Sequence, residues 1–289
     1  MSNLDLIKKL REESGAGILA CQNALKEANN DYNKAYDILR KQGASKAISK
    51  LDRATAEGLC CIAENENGFS IVKLNCETDF VAKNEKFQSL AAKIANIALL
   101  NNITNVEELL QQHYEGKSVK DLITESIASI GENIVLSEVR THRLNKDEVV
   151  SYYVHNKIDG SDKLGMIVSA IIATGCPKNS EPTMQLLKQI NMHITAMSPI
   201  ALSADQVDTA VINREKAIYE EQVSKLNKPA NIAEKMIEGK LHKFFEEKVL
   251  LKQMFVLDNK NSVEDVLVNF NKNNNTQLKI ISFDRVSIK

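Results

Sequence analysis

The sequence has no tryptophan, and aromatic residues make up only 5% of it. Prolines number 4 and glycines 11 in 289 residues, which excludes a collagen-like or low-complexity chain. No apolar run approaches the roughly 18 residues of a membrane-spanning helix. The opening Met1-Ser2-Asn3-Leu4-Asp5-Leu6 lacks the basic start and apolar core of a signal peptide. Neither sign of charge is in excess: the formal net charge is −1, which argues against nucleic acid as the main partner. Five cysteines are an odd number, and Cys60-Cys61 are adjacent rather than spaced for a metal. A disulfide framework or zinc site is therefore not expected, and reduced thiols in a cytoplasmic protein fit best. With 43% hydrophobic and 26% charged residues, the chain reads as globular, with room for two or three small domains.

Residues 1–43 read as three short helices. Leu6, Ile7 and Leu10 give the first an apolar face, and Ser14-Gly15-Ala16-Gly17 breaks it. Ile18 to Ala28 forms the second. Asp31 suits an N-cap for the third, with Ala35, Ile38 and Leu39 inward and Gly43 as its stop. Polar, Ala-rich Ala44 to Ala56 then reads as a linker. Strands follow at Glu57 to Glu64 and Phe69 to Asn75, around Asn65-Glu66-Asn67-Gly68, a hairpin signal. Phe87, Leu90, Ala91, Ile94 and Ala98 have helical spacing. A second helix runs from Lys120 to Ile130 with Gly131 ending it, and Ile134 to His142 reads as a strand.

The same order recurs: strands at Val149 to Ile158 and Leu164 to Thr174, a helix at Thr183 to Met197, and a last strand at Gln277 to Ser287. The later unit is longer by about 50 residues. The surplus falls at Asp205 to Lys248, which carries nine acidic and eight basic side chains. Val207, Val211 and Ile218, then Ala233, Ile237, Leu241 and Phe244, form two stripes separated by Asn227-Lys228-Pro229. That pattern makes an antiparallel helical hairpin. The expected fold class is α+β: a small three-helix domain with linker at 1–52, an α+β subdomain at 53–144, and a related one at 145–289 carrying the hairpin insert 205–248.

Catalytic signals are sparse. Cys76-Glu77-Thr78-Asp79 sets a thiol beside carboxylates, with His155 or His193 as a conceivable partner, but a locally hydrogen-bonded structural histidine is the commoner case. Ser14-Gly15-Ala16-Gly17 lacks the Lys-Ser/Thr of a phosphate loop and reads as a turn. Asn271-Lys272-Asn273-Asn274-Asn275 reads as a solvated turn. Thr78 suits the cap of a helix carrying Asp79 in its first turn. Phe80 is ambiguous. Seven residues before Phe87, it reads as core if one unbroken helix spans both; exposed beside a carboxylate, it would be an anchor for a protein partner.

Several motifs together resemble the elongation factor Ts family, the guanine-nucleotide exchange factors of elongation factor Tu. They are Leu10-Arg11-Glu12 with Ser14-Gly15-Ala16-Gly17 and Cys21…Ala24-Leu25, then Asn75-Cys76-Glu77-Thr78-Asp79-Phe80-Val81-Ala82-Lys83, then Ile130-Gly131-Glu132-Asn133-Ile134, and finally Ile232-Ala233-Glu234-Lys235-Met236-Ile237-Glu238-Gly239-Lys240. The resemblance implies a ubiquitin-associated-like (UBA-like) helical domain, two related α+β subdomains and an inserted coiled coil. It implies that Thr78, Asp79, Phe80 and Val81 displace Mg²⁺ from the nucleotide site of elongation factor Tu, with Phe80 as the wedge. Gly15, Ala16, Gly17, Ile18 and Leu19 would touch the same partner, as would Ile130, Gly131 and His155. It implies no cofactor, no chemical catalysis, and a higher-order complex with the partner as an option. This chain departs from many members at Ile18-Leu19, where a Met pair is usual. It also departs at Ala20-Cys21-Gln22-Asn23, where Asp-Cys-Lys-Lys is usual, and the contact that some members make through an extra C-terminal helix is not expected here. A scaffold or chaperone-like helix-binding module, and a thiol enzyme built on Cys76, are the rival classes.

Overall fold

The computed structural model describes residues 3–178 and 180–289; Met1, Ser2 and Asn179 lie outside the described residues, and with them the first two residues of the opening segment read above. The chain divides into two units. The first holds Met1–Arg143, Val154–Val168 and Val286–Lys289, the second Leu144–Tyr153 and Ser169–Arg285. The class is α+β with antiparallel strand pairing.

The first unit opens with helices α1 (Asn3–Ser14), α2 (Ile18–Glu27) and α3 (Tyr32–Ile48). They close over Leu10, Cys21, Ala24, Leu25, Ala35 and Leu39. Asp31 caps α3, its carboxylate accepting from the Lys34 amide at 3.1 Å. The hairpin of β1 (Glu57–Asn65) and β2 (Gly68–Cys76) follows, with Asn65 paired to Gly68, so only Glu66 and Asn67 form the loop. Gly68 therefore belongs to the strand. A Cβ there would lie 2.1 Å from the His142 carbonyl oxygen, so the glycine serves the close approach of a neighbouring strand rather than the turn.

Next come α4 (Asp79–Ala82), α5 (Glu85–Asn101), α6 (Val106–Gln111), the short pair β3 (His113–Tyr114) and β4 (Lys117–Ser118), α7 (Val119–Ile130) and β5 (Ile134–Arg143). Strand β2 pairs antiparallel with both β1 and β5. Helix α5 sets Phe87, Leu90, Ala91, Ile94 and Ala98 against Leu59, Cys61, Val72 and Leu74, the helical spacing read in the sequence. The α6 segment and the β3–β4 pair are too short to leave a periodic signal.

Gly43 does not stop α3. The helix runs on to Ile48, through the first five residues of the expected linker. A Cβ at Gly43 would sit 3.1 Å from Ala128 Cβ on α7, so the missing side chain permits close helix packing. Nothing in Ala44 to Ala47 opposes continuation, and Ala47 is buried in the same core as Phe87.

Strands β6 (Val149–Lys157) and β7 (Leu164–Thr174) are each shared between the two units, which divide them after Tyr153 and Val168, and β7 pairs with both β6 and the last strand. Helices α8 (Glu181–Met197), α9 (Thr209–Ser224), α10 (Ala230–Lys248) and α11 (Val263–Asn274) precede β8 (Lys279–Ser287). Both runs, β1 to β5 and β6 to β8, open on two strands and close on one, but between them the first holds α4–α7 with the β3–β4 pair and the second α8–α11. The core joins Ile171, Leu187, Ile190 and Ile194 to Val263, Leu267 and Leu278. The Asn-rich stretch is not a loop throughout: α11 extends to Asn274, and Asn275 caps it in the left-handed region. Asn271 then fixes the exit to β8, its Oδ1 accepting from the Leu278 amide at 2.7 Å.

Helices α9 and α10 pack on each other around the break at Pro229. Lys240 Nζ donates to Gln222 Oε1 at 2.9 Å and lies 5.4 Å from the centre of the Tyr219 ring. The open end of the pair is closed by Val207, Phe244, Ala201 and Val249.

Candidate functional site

Helix α4 is a single turn between two caps. Thr78 is extended, and its hydroxyl accepts the Val81 amide at 3.4 Å. Asn84 then starts α5 afresh, its side chain accepting from the Lys86 amide at 2.9 Å. The break at Lys83–Asn84 destroys the helical phase between Phe80 and Phe87. Phe87 is fully buried, whereas Phe80 is 81% exposed. The unbroken-helix reading of Phe80 as core is therefore wrong for a definite reason: the segment is two capped helices. Val81 and Ala82, on the other side of the turn, are buried and anchor it to the core.

Asp79 stands beside Phe80. Lys83 Nζ lies 3.0 Å from Asp79 Oδ2, and this hydrogen bond holds the Asp79 carboxyl below its ordinary range. A large exposed ring next to a fixed negative charge, on a turn tethered from beneath, suits insertion into a partner's pocket.

The turn is held from the α7–β5 loop. Glu132 Oε2 accepts the backbone amides of Glu77 at 3.1 Å and Thr78 at 3.0 Å, and the Thr78 hydroxyl donates to Glu132 Oε1 at 2.7 Å. In return, the Asn133 amide donates to Glu77 Oε1 at 2.7 Å. Gly131 makes this loop possible by capping α7 at φ 97°, a conformation that favours glycine. The same loop meets the end of α3. Lys50 Nζ donates to the Gly131 carbonyl. Asn133 Nδ2 donates to the carbonyls of Leu51 at 3.2 Å and Arg53 at 2.9 Å. Arg53 in turn reaches Glu77 at 3.5 Å.

Of the residues singled out in the sequence, the structure gathers Thr78, Asp79, Phe80 and Val81 on one turn, with Ile130 ending α7 and Gly131 opening the loop that holds it. Gly15 and Gly17 border the α1–α2 turn, which lines a cavity of about 170 Å³ together with Ser129, near the end of α7. Ala16 is half-buried against the helical core, while Ile18 and Leu19 are 52% and 70% exposed at the start of α2. His155 lies on β6, outside the loops that carry the others. Glu132 and Asn133 were read only as part of the 130–134 motif, and Glu77 only as a carboxylate beside Cys76. The local signal of Glu132 and Asn133 is a carboxylate and an amide directly after a helix-ending glycine.

The thiol reading does not survive the geometry. Cys76 is fully buried and donates to the Thr78 carbonyl at 3.1 Å. Burial and the nearby Glu132 carboxylate push its pKa up to about 12, so it holds almost no thiolate at neutral pH. His193 is also buried, bonded to Gln253 at 2.9 Å, and is a structural group. Among the described residues, no cluster of three or more His, Cys, Asp or Glu side chains is placed to hold a metal ion. None of the described helices is long and apolar enough to cross a membrane.

Comparison with known proteins agrees with this arrangement. The sequence profile of the family described as Elongation factor TS matches residues 77–289. Elongation factor Ts of Bartonella quintana (strain Toulouse) is 42% identical over 286 residues, covering 98% of this chain and 91% of the relative. Elongation factor Ts of Wolbachia sp. subsp. Drosophila simulans (strain wRi) is 41% identical over 266 residues, 92% of this chain and 91% of its own length. That of Anaplasma phagocytophilum (strain HZ) is 39% identical over 282 residues, 97% of each. With matches that span the exposed Phe80 turn, its Glu132 loop and both units, the chain belongs to the elongation factor Ts family of translation elongation factors.

Proposed function

We propose that the chain binds elongation factor Tu in its GDP form and promotes GDP release, using the Phe80 turn to disturb the partner's Mg²⁺ shell. The observation that supports this most is the exposure of Phe80 beside Asp79 on a turn whose other face, Val81 and Ala82, is buried. Mg²⁺ demands near-ideal octahedral geometry, so displacing one flanking element of its site raises the nucleotide off-rate. Factor and nucleotide then weaken each other's binding by the same ratio, and no covalent or proton-transfer step is needed. On this reading the chain is not an enzyme in the chemical sense, needs no cofactor of its own, and works in the cytoplasm. Ile18 and Leu19, exposed at the start of α2, supply a second contact to the same partner, with Gly15, Ala16 and Gly17 shaping the turn before them. Ile130, Gly131 and His155 complete the contact set. The helices α1–α3 act as a UBA-like docking domain within 1–52, followed by subdomains 53–144 and 145–289, and α9–α10 as a coiled-coil hairpin.

The test is release of a fluorescent GDP from purified elongation factor Tu with catalytic amounts of this protein. Accelerated release that Phe80→Ala largely abolishes supports the reading. Binding without acceleration overturns it in favour of a scaffold.

A further inference from the structure

We propose that Glu132 is the positioning residue of the exchange site, and that through Asn133 and Glu77 it holds the Phe80 turn and the end of α3 in one frame. The proposal rests on the exchange reading above and deepens it.

The argument starts from what a one-turn helix can do alone. Helix α4 is far below the length at which helices are stable in isolation. Its direction is set by whatever fixes its first residues. Those are Glu77 and Thr78, and both of their amides end on a single oxygen, Glu132 Oε2. The other oxygen takes the Thr78 hydroxyl proton. A carboxylate that accepts three donors, with charge assistance, makes a firm and directional joint. Thr78 uses the same hydroxyl oxygen to cap α4 through the Val81 amide. Glu132 therefore orients the cap, and the cap orients Phe80.

The joint extends further. Asn133 is buried, and its two side-chain bonds to the Leu51 and Arg53 carbonyls admit only one orientation of its amide. Its backbone amide meets Glu77. Lys50 closes the ring on the Gly131 carbonyl. The segment just past α3 is thus bonded to the same three-residue loop that bears Glu132. A partner engaging Ile18–Leu19 and Phe80 together meets two contacts already set at fixed spacing, so less ordering entropy is lost on docking.

The experiment compares Glu132→Ala, Glu132→Gln, Phe80→Ala and the double variant Phe80→Ala/Glu132→Ala in stimulated GDP release. Amide hydrogen exchange at Glu77 and Thr78 is followed on the same samples. Glu132→Ala should deprotect both amides and slow release roughly ten- to a hundredfold, the scale of a misplaced functional group. Glu132→Gln keeps an acceptor for the amides and loses only the hydroxyl's acceptor, so it should recover most of the rate. The double variant should be no slower than Phe80→Ala beyond about twofold, the margin for independent sites. A merely structural role would not produce that non-additivity. If Glu132→Ala does not fold, Thr78→Val carries the test, because it deletes the hydroxyl that Glu132 holds and should slow release in the same non-additive way. Normal release with deprotected amides overturns the proposal. So does a double variant whose losses multiply. A wild-type chain that fails to stimulate release overturns the exchange reading itself, and is recognised by that failure.

Discussion

Phe80 and Phe87 are seven residues apart and lie on opposite sides of a helix break, Phe80 exposed to solvent and Phe87 sealed in the core of the first unit. The two rings thus separate docking from stability. Phe87→Ala should cost about 3–5 kcal/mol of folding free energy, the range for emptying a buried phenylalanine site. Phe80→Ala should leave the melting temperature nearly unchanged while slowing stimulated GDP release by about 2 kcal/mol or more of lost interface energy. Thermal unfolding and GDP release on both variants decide it. A large melting-point loss at Phe80→Ala would contradict the placement of that ring.

Two glycines in very different surroundings give predictions of opposite sign. At Gly68 an added Cβ meets the His142 carbonyl at 2.1 Å, backbone that cannot step aside without opening the β2–β5 ladder. Gly68→Ala should destabilise by at least about 1–3 kcal/mol. At Gly239, inside α10, nothing lies within 4 Å of the added atom. Gly239→Ala should stabilise by about 0.5–1 kcal/mol, from helix propensity alone. Chemical denaturation of the two variants provides the measurement, and a destabilised Gly239→Ala would mean that this face of α10 is covered in solution.

Periodic burial left its mark on the sequence. Phe87, Leu90, Ala91, Ile94 and Ala98 face one core because a helix brings them round together, and that spacing is local. What local pattern does not carry is a bond between distant segments. Glu132 meets Thr78 across 54 residues, and neither residue is apolar or periodic. Gly43 and Gly68 look like punctuation, yet each owes its identity to a backbone or side chain approaching from elsewhere. The exposed Phe80 was masked by a spacing that happened to match its buried neighbour. It took the second cap at Asn84 to separate them.

His193 makes stability depend on pH. Its ring is buried between Gln253 and the Val256 amide, which donates to Nδ1 at 3.2 Å, so the neutral form protonated on Nε2 fits the site. Burial holds its pKa below the ordinary value of 6.5. The unfolded chain therefore binds the proton first as pH falls. The contribution is fully present above about pH 6.5 and is lost progressively as pH falls below it toward the depressed folded pKa. Melting temperatures measured from pH 7.5 down to about 5 should decline in the wild type. The decline should be shallower in His193→Gln, which cannot take up the proton. Equal slopes would assign the acid sensitivity to other groups.

Removal of residues 1–52 tests how far the amino-terminal helices belong to the body of the first unit. Were they tethered only by a polar linker, the remainder would keep its stability. The structure instead packs Gly43 against Ala128, buries Ala47 in the main core, and takes one of Asn133's two carbonyl acceptors from Leu51. Truncation uncovers the α7 face, deletes Lys50 from Gly131, and leaves Asn133 with Arg53 alone. A buried amide that loses a partner costs about 1–3 kcal/mol. For a chain of this size each kcal/mol lowers the melting temperature by about 2–4 °C. The truncated protein should therefore melt several degrees lower, and its Glu77 and Thr78 amides should exchange faster than in the full chain, because the loop that holds them has lost its second anchor. Calorimetry and hydrogen exchange on the truncated chain measure both. An unchanged melting point with unchanged protection at Thr78 would show that the helices are a separate docking unit and that the Phe80 turn is held by Glu132 without help from α3.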